Sequence, residues 1–182
     1  AGDIRAKQRS TISFETRIEP QFKAGENRVV LTSEAQWKGG SLQGVSKPLQ
    51  IVANPALGMA LQCLGGAVSP GDLFHINVRF QNEGDASATD CVLTINLDPR
   101  ASIATTSATV RMDQGRAVVD VGSLRPNEKG SVQLDGVFTP EFPTGETPIT
   151  ARATLTCTEN VSVGAESLLG TVSAAPKMAL NV

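Results

Sequence analysis

Tyrosine is absent from this 182-residue chain, tryptophan and histidine occur once each, and aromatics make up only 4% of it. Proteins that bind sugars or unpaired bases by stacking need exposed rings, so this scarcity argues against both roles. The formal charge is -2 and no basic run interrupts the sequence. Attraction to nucleic acid therefore has no electrostatic source. No apolar stretch approaches the roughly 18 residues of a membrane helix, and no charged-apolar-small signal opens the chain. The first residue is Ala1 rather than methionine, which suggests a processed product or a fragment. With one histidine and no Cys-x-x-Cys, a zinc site has no ligand set, and a nucleophile-base pair has no base to hand. The reading is of a non-catalytic chain without a cofactor, without nucleic acid and without membrane insertion in this segment.

What the sequence does contain is strands. No long segment shows the i, i+3, i+4 spacing of an amphipathic helix. Instead Phe74, Ile76, Val78 and Phe80 alternate with His75, Asn77 and Arg79, the pattern of a strand with one face buried. His75 falls on the outward face. The same alternation runs through Cys91, Leu93, Ile95 and Leu97, through Val132, Leu134 and Phe138, and from Ile149 to Cys157. Short strands divided by Gly, Pro, Asn and Asp turns read as an all-β sandwich. Charge is divided too: residues 1–56 hold eight Lys/Arg against five Asp/Glu, and 57–182 hold eight against thirteen. A solvated surface accounts for that division as well as docking does.

The chain also repeats itself. The segment from Gly2 to Trp37 lies without gaps on Gly122 to Cys157, at an offset of 120 residues. Gly2, Arg5, Pro20, Phe22, Gly25 and Glu26 recur as Gly122, Arg125, Pro140, Phe142, Gly145 and Glu146. The apolar phase is kept, with Ile12 on Val132, Phe14 on Leu134, Ile18 on Phe138 and Val29 on Ile149. After a one-residue slip, Met59-Ala60-Leu61 returns as Met178-Ala179-Leu180. Three units follow: residues 1–55 as the C-terminal half of a preceding repeat, 56–175 as one complete repeat of about seven or eight strands, and 176–182 as the start of another or a tail. A half sandwich leaves Phe14, Ile18, Val29 and Leu31 without an opposing sheet, so it is incomplete alone. It belongs to a longer tandem array, is completed by another polypeptide, or folds over the complete domain.

The complete repeat resembles the immunoglobulin-like conserved-repeat domain of prokaryotic surface proteins, the domain-of-unknown-function-eleven family. The resemblance covers about residues 66–158. It rests on Pro70-Gly71 before the first long strand, on Asn82-x-Gly84 after it, on small Ala86, Ser87 and Ala88, and on Gly122-x-Leu124-x-Pro126. Asn127 stands where the family commonly has Gly, a residue that also tolerates left-handed angles, and Leu97-Asp98-Pro99 replaces the usual Leu-Pro. The resemblance implies tandem immunoglobulin-like sandwiches at the cell surface or outside the cell, in stalks, surface layers or filaments, with no catalytic residues to carry over.

On the layout so implied, Cys91 starts the third strand and Cys157 ends the penultimate one, both near one pole and facing inward. They are a disulfide candidate, worth about 2–4 kcal/mol if formed, with three reduced and buried cysteines as the alternative. Cys63, near the other pole, would be the free thiol. Glu83, Asp85 and Asp90 offer oxygens to calcium, but their spacing matches no dedicated loop, and Asn82 and Asp85 are better read as closing their own turn. Asn160-Val161-Ser162 is a formal glycosylation sequon. The function expected is that of a structural module whose partners are neighbouring repeats or identical subunits. The alternative is an adhesin-like module that binds carbohydrate or protein through polar loops.

Overall fold

A computed structural model of the chain describes residues 8–9, 11–18, 22–64, 66–113 and 115–176. The matched positions Gly2, Arg5 and Pro20, and the Met178-Ala179-Leu180 echo, lie outside them.

Residues 57–174 form a two-layer sandwich. One sheet holds β5 (Leu57–Cys63), β7 (Leu73–Asn82), β12 (Lys129–Phe138) and β9 (Ala101–Thr106), hydrogen-bonded in that order. The other runs β10 (Val110–Asp113), β11 (Arg116–Leu124), β8 (Ala88–Leu97), β13 (Gly145–Thr156), β14 (Ser162–Ala174) and β6 (Ala67–Val68). Neighbouring strands are antiparallel except β6, which runs parallel to β14. This is an all-β, immunoglobulin-like sandwich, as the alternation predicts. It carries ten strands rather than seven or eight, because β6 is a two-residue edge piece and β10 and β11 make an added hairpin.

The core is what period-two patterning demands. Phe74, Ile76, Val78 and Phe80 of β7, Cys91, Leu93 and Ile95 of β8, and Ile149, Ala151, Ala153 and Leu155 of β13 are all buried and packed together. A large side chain so buried contributes about 1.5–3 kcal/mol. Two glycines on β12 show how closely the layer is filled. Gly130 lies across from Phe80 and Gly136 across from Phe74, and a Cβ added at either would come within 2.3 Å or 2.1 Å of the ring opposite. The rings fold over the bare backbone, and the Phe74 ring also meets Phe138 at 5.0 Å.

Ahead of the sandwich lies a broken hairpin: β1 (Gly25–Val29), β2 (Thr32–Trp37), β3 (Gly40–Val45) and β4 (Leu49–Ala53). β1 pairs with β4 and β2 with β3. From the Val29↔Leu49 pair to the Thr32↔Val45 pair, one side advances three residues and the other four. The β13–β14 hairpin makes the same one-residue shift after Ile149, where Ile149↔Gly170 is followed by Thr150↔Leu168. Val29 and Ile149 are matched at the 120-residue offset. Gly25 and Gly145, which open the two hairpins, both have left-handed φ, 99° and 109°, a conformation glycine adopts without penalty.

Burial separates the two matched segments. Phe14 and Ile12 are 70% and 81% exposed, whereas their counterparts Leu134 and Val132 are at 0% and 3%. Trp37, matched to the part-buried Cys157 at the 120-residue offset, is 61% exposed and lies against Gly39 and Gly40. Residues 11–18 belong to no strand, although they match β12 in phase. The reason is topological: β12 sits in the sheet opposite β13–β14, held between β7 and β9, and the described residues before Leu57 contain no counterpart of either neighbour.

Candidate functional site

The polar knot after β7 lies at the pole where the N-terminal segment enters. Asn82, the last residue of β7, is fully buried and uses its whole amide. Its Nδ2 donates to the carbonyls of Ala86 (2.7 Å) and Leu124 (3.0 Å). Its Oδ1 accepts from the backbone N–H groups of Ala56 (3.1 Å) and Gly84 (3.0 Å). Its backbone pairs with the β11–β12 turn, donating to Glu128 O and accepting from Asn127 N–H. The linker, the following loop and the end of β11 therefore meet on one side chain, and the β11–β12 turn meets its backbone. Asn127 has φ of 64°, as expected of a residue standing in for glycine.

The loop beyond Asn82 clamps the linker Ala53-Asn54-Pro55-Ala56. Glu83 N–H donates to Ala56 O (2.7 Å), and Asp85 N–H donates to Asn54 O (3.1 Å). Asp85 does not close its own turn. Its Oδ1 accepts instead from Asn54 N–H at 2.7 Å. Phe22 adds a parallel β-bridge to Ala86. Gly84 is required here by close approach rather than by φ: a Cβ would lie 2.3 Å from Asn54 O and 2.5 Å from Ala56 N. Sequence reasoning finds the Asn-x-Gly motif but misses that its partner is the linker, since a contact across some 30 residues leaves no local signal.

The candidate calcium ligands are not brought together. Asp85 holds the linker, Glu83 accepts from the Gln81 side chain, and Asp90 accepts from Thr158 Oγ1 at 3.2 Å. Among the described residues no three His, Cys, Asp or Glu side chains gather as a metal site would require. Glu159 takes the N–H and hydroxyl of Thr89 at 3.0 Å and 2.6 Å. Burial alone would raise its pKa, but the hydrogen bonds from Thr89 outweigh that and hold it below the usual carboxylate range. Asp90 itself sits at φ of 49°, an unforeseen left-handed residue at the start of β8.

All three cysteines are free thiols. Cys91 is buried in the inner face of β8 and Cys157 directly follows β13, at the pole expected for both. Cys63 ends β5 at the other pole, opposite Ile76. His75 is exposed on the outer face of β7, where Nδ1 meets Asp135 Oδ1 at 2.5 Å. Thr105 Oγ1 donates to the other carboxylate oxygen of Asp135 at 3.1 Å. A shallow groove of about 740 Å³ crosses the outer face of the four-stranded sheet beside Gly58, Ala60, Arg79, Gln81, Glu83 and Lys129.

No family model matches the chain, and no curated protein matches it. Solved structures with a similar arrangement include the seventh ScaB type I cohesin from Pseudobacteroides cellulosolvens, at 12% identity and TM-score 0.39, over 68% of this chain and 96% of that one. BcpA, the major pilin subunit of Bacillus cereus, matches at 14% and 0.43, over 78% and 47%. A GH20 exo β-N-acetylglucosaminidase from Vibrio harveyi matches at 13% and 0.37, over 66% and 18%. A cohesin, a pilin and a glycosidase at such scores assign no function.

Proposed function

We propose that this chain is a non-catalytic structural module from a tandem array of immunoglobulin-like sandwiches in a protein of the cell surface or exterior. Residues 56–175 are the complete repeat, 1–55 the C-terminal half of the one before, and 176–182 the start of the next or a tail. The observation that carries this reading is the contrast between the two hairpins. Both slip by one residue after positions matched on their first strands, Val29 and Ile149, yet one is covered by a second sheet and the other presents Leu31, Trp37, Leu42, Val45, Leu49 and Val52 to solvent. Apolar surface of this extent is left over when its partner strands are elsewhere. The partners are neighbouring repeats or identical subunits that supply the missing strands. The linker clamp supports the same reading, because a joint tied by hydrogen bonds on both sides of Pro55 restricts bending between neighbours.

Trp37 reports on this directly, as the only tryptophan in a chain without tyrosine. In residues 1–182 its emission is expected to be that of a solvated indole, open to iodide quenching. Fusing a second copy of residues 56–120 ahead of Ala1 would restore the strands that cover the hairpin. Emission should then shift to the blue, quenching should fall, and the amides of β1–β4 should exchange slowly. An unchanged Trp37 in the extended chain would overturn the repeat reading. The alternative of an adhesin-like module draws on the same exposed Trp37 and on the polar groove over β5–β7–β12. It predicts glycan-array binding that Trp37→Ala or Arg79→Ala abolishes.

A further inference from the structure

One pair of side chains at the linker pole is arranged for covalent chemistry. The β13–β8 ladder ends on Thr156↔Val92, and its register carried one step further would set Cys157 opposite Cys91, just ahead of a slip at the left-handed Asp90, where Thr158 N–H reaches Thr89 O. The backbone decides what kind of pair this is. Cys157 N–H donates to Val161 O at 3.1 Å, toward β14, while Thr158 N–H crosses to Thr89 O at 3.0 Å. Cys91 in turn is paired on its far side with Gly122 of β11. Neither cysteine spends its backbone on the other, so they meet as a non-hydrogen-bonded pair. Cα atoms of such pairs lie about 4.5 Å apart with side chains at their closest, inside the roughly 4.4–6.8 Å that a disulfide spans. Both side chains are on the inner face, in phase with Leu93 and with Leu155. Burial, and then the proximity of Cys157, push the Cys91 thiol up to about 11.

We propose that Cys91 and Cys157 are an oxidisable pair that closes into a cross-strand staple between β8 and β13 when the domain meets a small disulfide oxidant such as oxidised glutathione. Cys157, the more exposed, attacks first. Its thiolate sulfur bonds to one sulfur of the oxidant, and the other oxidant sulfur leaves as a thiol with the proton Cys157 gave up. Cys91 then displaces the remaining oxidant thiol from the Cys157 sulfur and gives up its own proton to it. Two electrons and two protons have passed from the protein to the oxidant, whose disulfide becomes two thiols. The staple would fasten the pole at which Asn82 and the linker are held. Cys63 faces Ile76 rather than a cysteine and stays a thiol.

The native chain is incubated with oxidised glutathione at mildly alkaline pH, unfolded in the presence of an alkylating agent, digested and mapped by mass spectrometry. The expected result is a linked Cys91–Cys157 peptide pair lighter by two hydrogens, with Cys63 alone alkylated. The rate should rise with pH well past that of an unperturbed thiol, because the thiols are raised. Cys63→Ser should give the same link and no alkylated cysteine. Recovery of Cys91 in alkylated form, whether Cys157 is a thiol or carries glutathione, would overturn the proposal, as would a link that uses Cys63.

Discussion

Asn82 spends every polar atom it has on backbone groups that come from four places in the chain. Truncation to alanine strands the N–H groups of Ala56 and Gly84 and the carbonyls of Ala86 and Leu124. Each buried group left unmade costs about 1–3 kcal/mol before relaxation, so Asn82→Ala should lose about 3–5 kcal/mol, read from the urea midpoint. Asn82→Asp keeps the two accepted bonds but sets a carboxylate against two carbonyls, and should be comparably unstable near neutrality. A loss below about 0.5 kcal/mol in both would sink the role assigned to this side chain. Glu159 makes a prediction about acid at the same pole. Its folded pKa is depressed, so the stability it contributes is present above its unfolded pKa and is lost as pH falls through the folded one. Glu159→Gln should therefore lower stability at neutral pH and flatten the acid limb of the stability-pH curve. An unchanged acid limb would speak against the Thr89–Glu159 bonds.

Elements behave according to their neighbours rather than their own patterning. Phe14 and Leu134 are matched at the 120-residue offset, yet only Leu134 is packed. Leu134→Ala is expected to cost about 2–5 kcal/mol, while Phe14→Ala should change the unfolding of residues 1–182 by less than about 0.5 kcal/mol, as exposed positions do. Denaturant titration of the two variants checks both, and a large loss for Phe14→Ala would mean that the N-terminal half folds over the complete domain after all. The strands of the sandwich are legible in the sequence because alternation is local: β7, β8, β12 and β13 all follow from it. The 120-residue offset is legible for the same reason. What escapes such a reading is anything settled by a distant partner. Residues 11–18 carry a strand's pattern without its neighbours, Asp85 reaches for Asn54 instead of its own turn, and β10, at four residues, is too short to stand out from its turns.

At the scale of the molecule, the chain enters the sandwich at a clamped joint and leaves it from β14. Leu57 and Ala174 bound the module, and just inside them β6 and β14 run side by side in the same direction. Strands laid parallel near the two ends of a domain respond to tension in a particular way. When the ends are pulled apart, the Ala67↔Thr171 and Val68↔Val172 contacts are loaded in shear, along the strands, so that they share the force and yield together instead of unzipping one after another. In the proposed array this makes a two-residue edge strand a force bearer, and it places the yield point of each unit at the pole away from the linker.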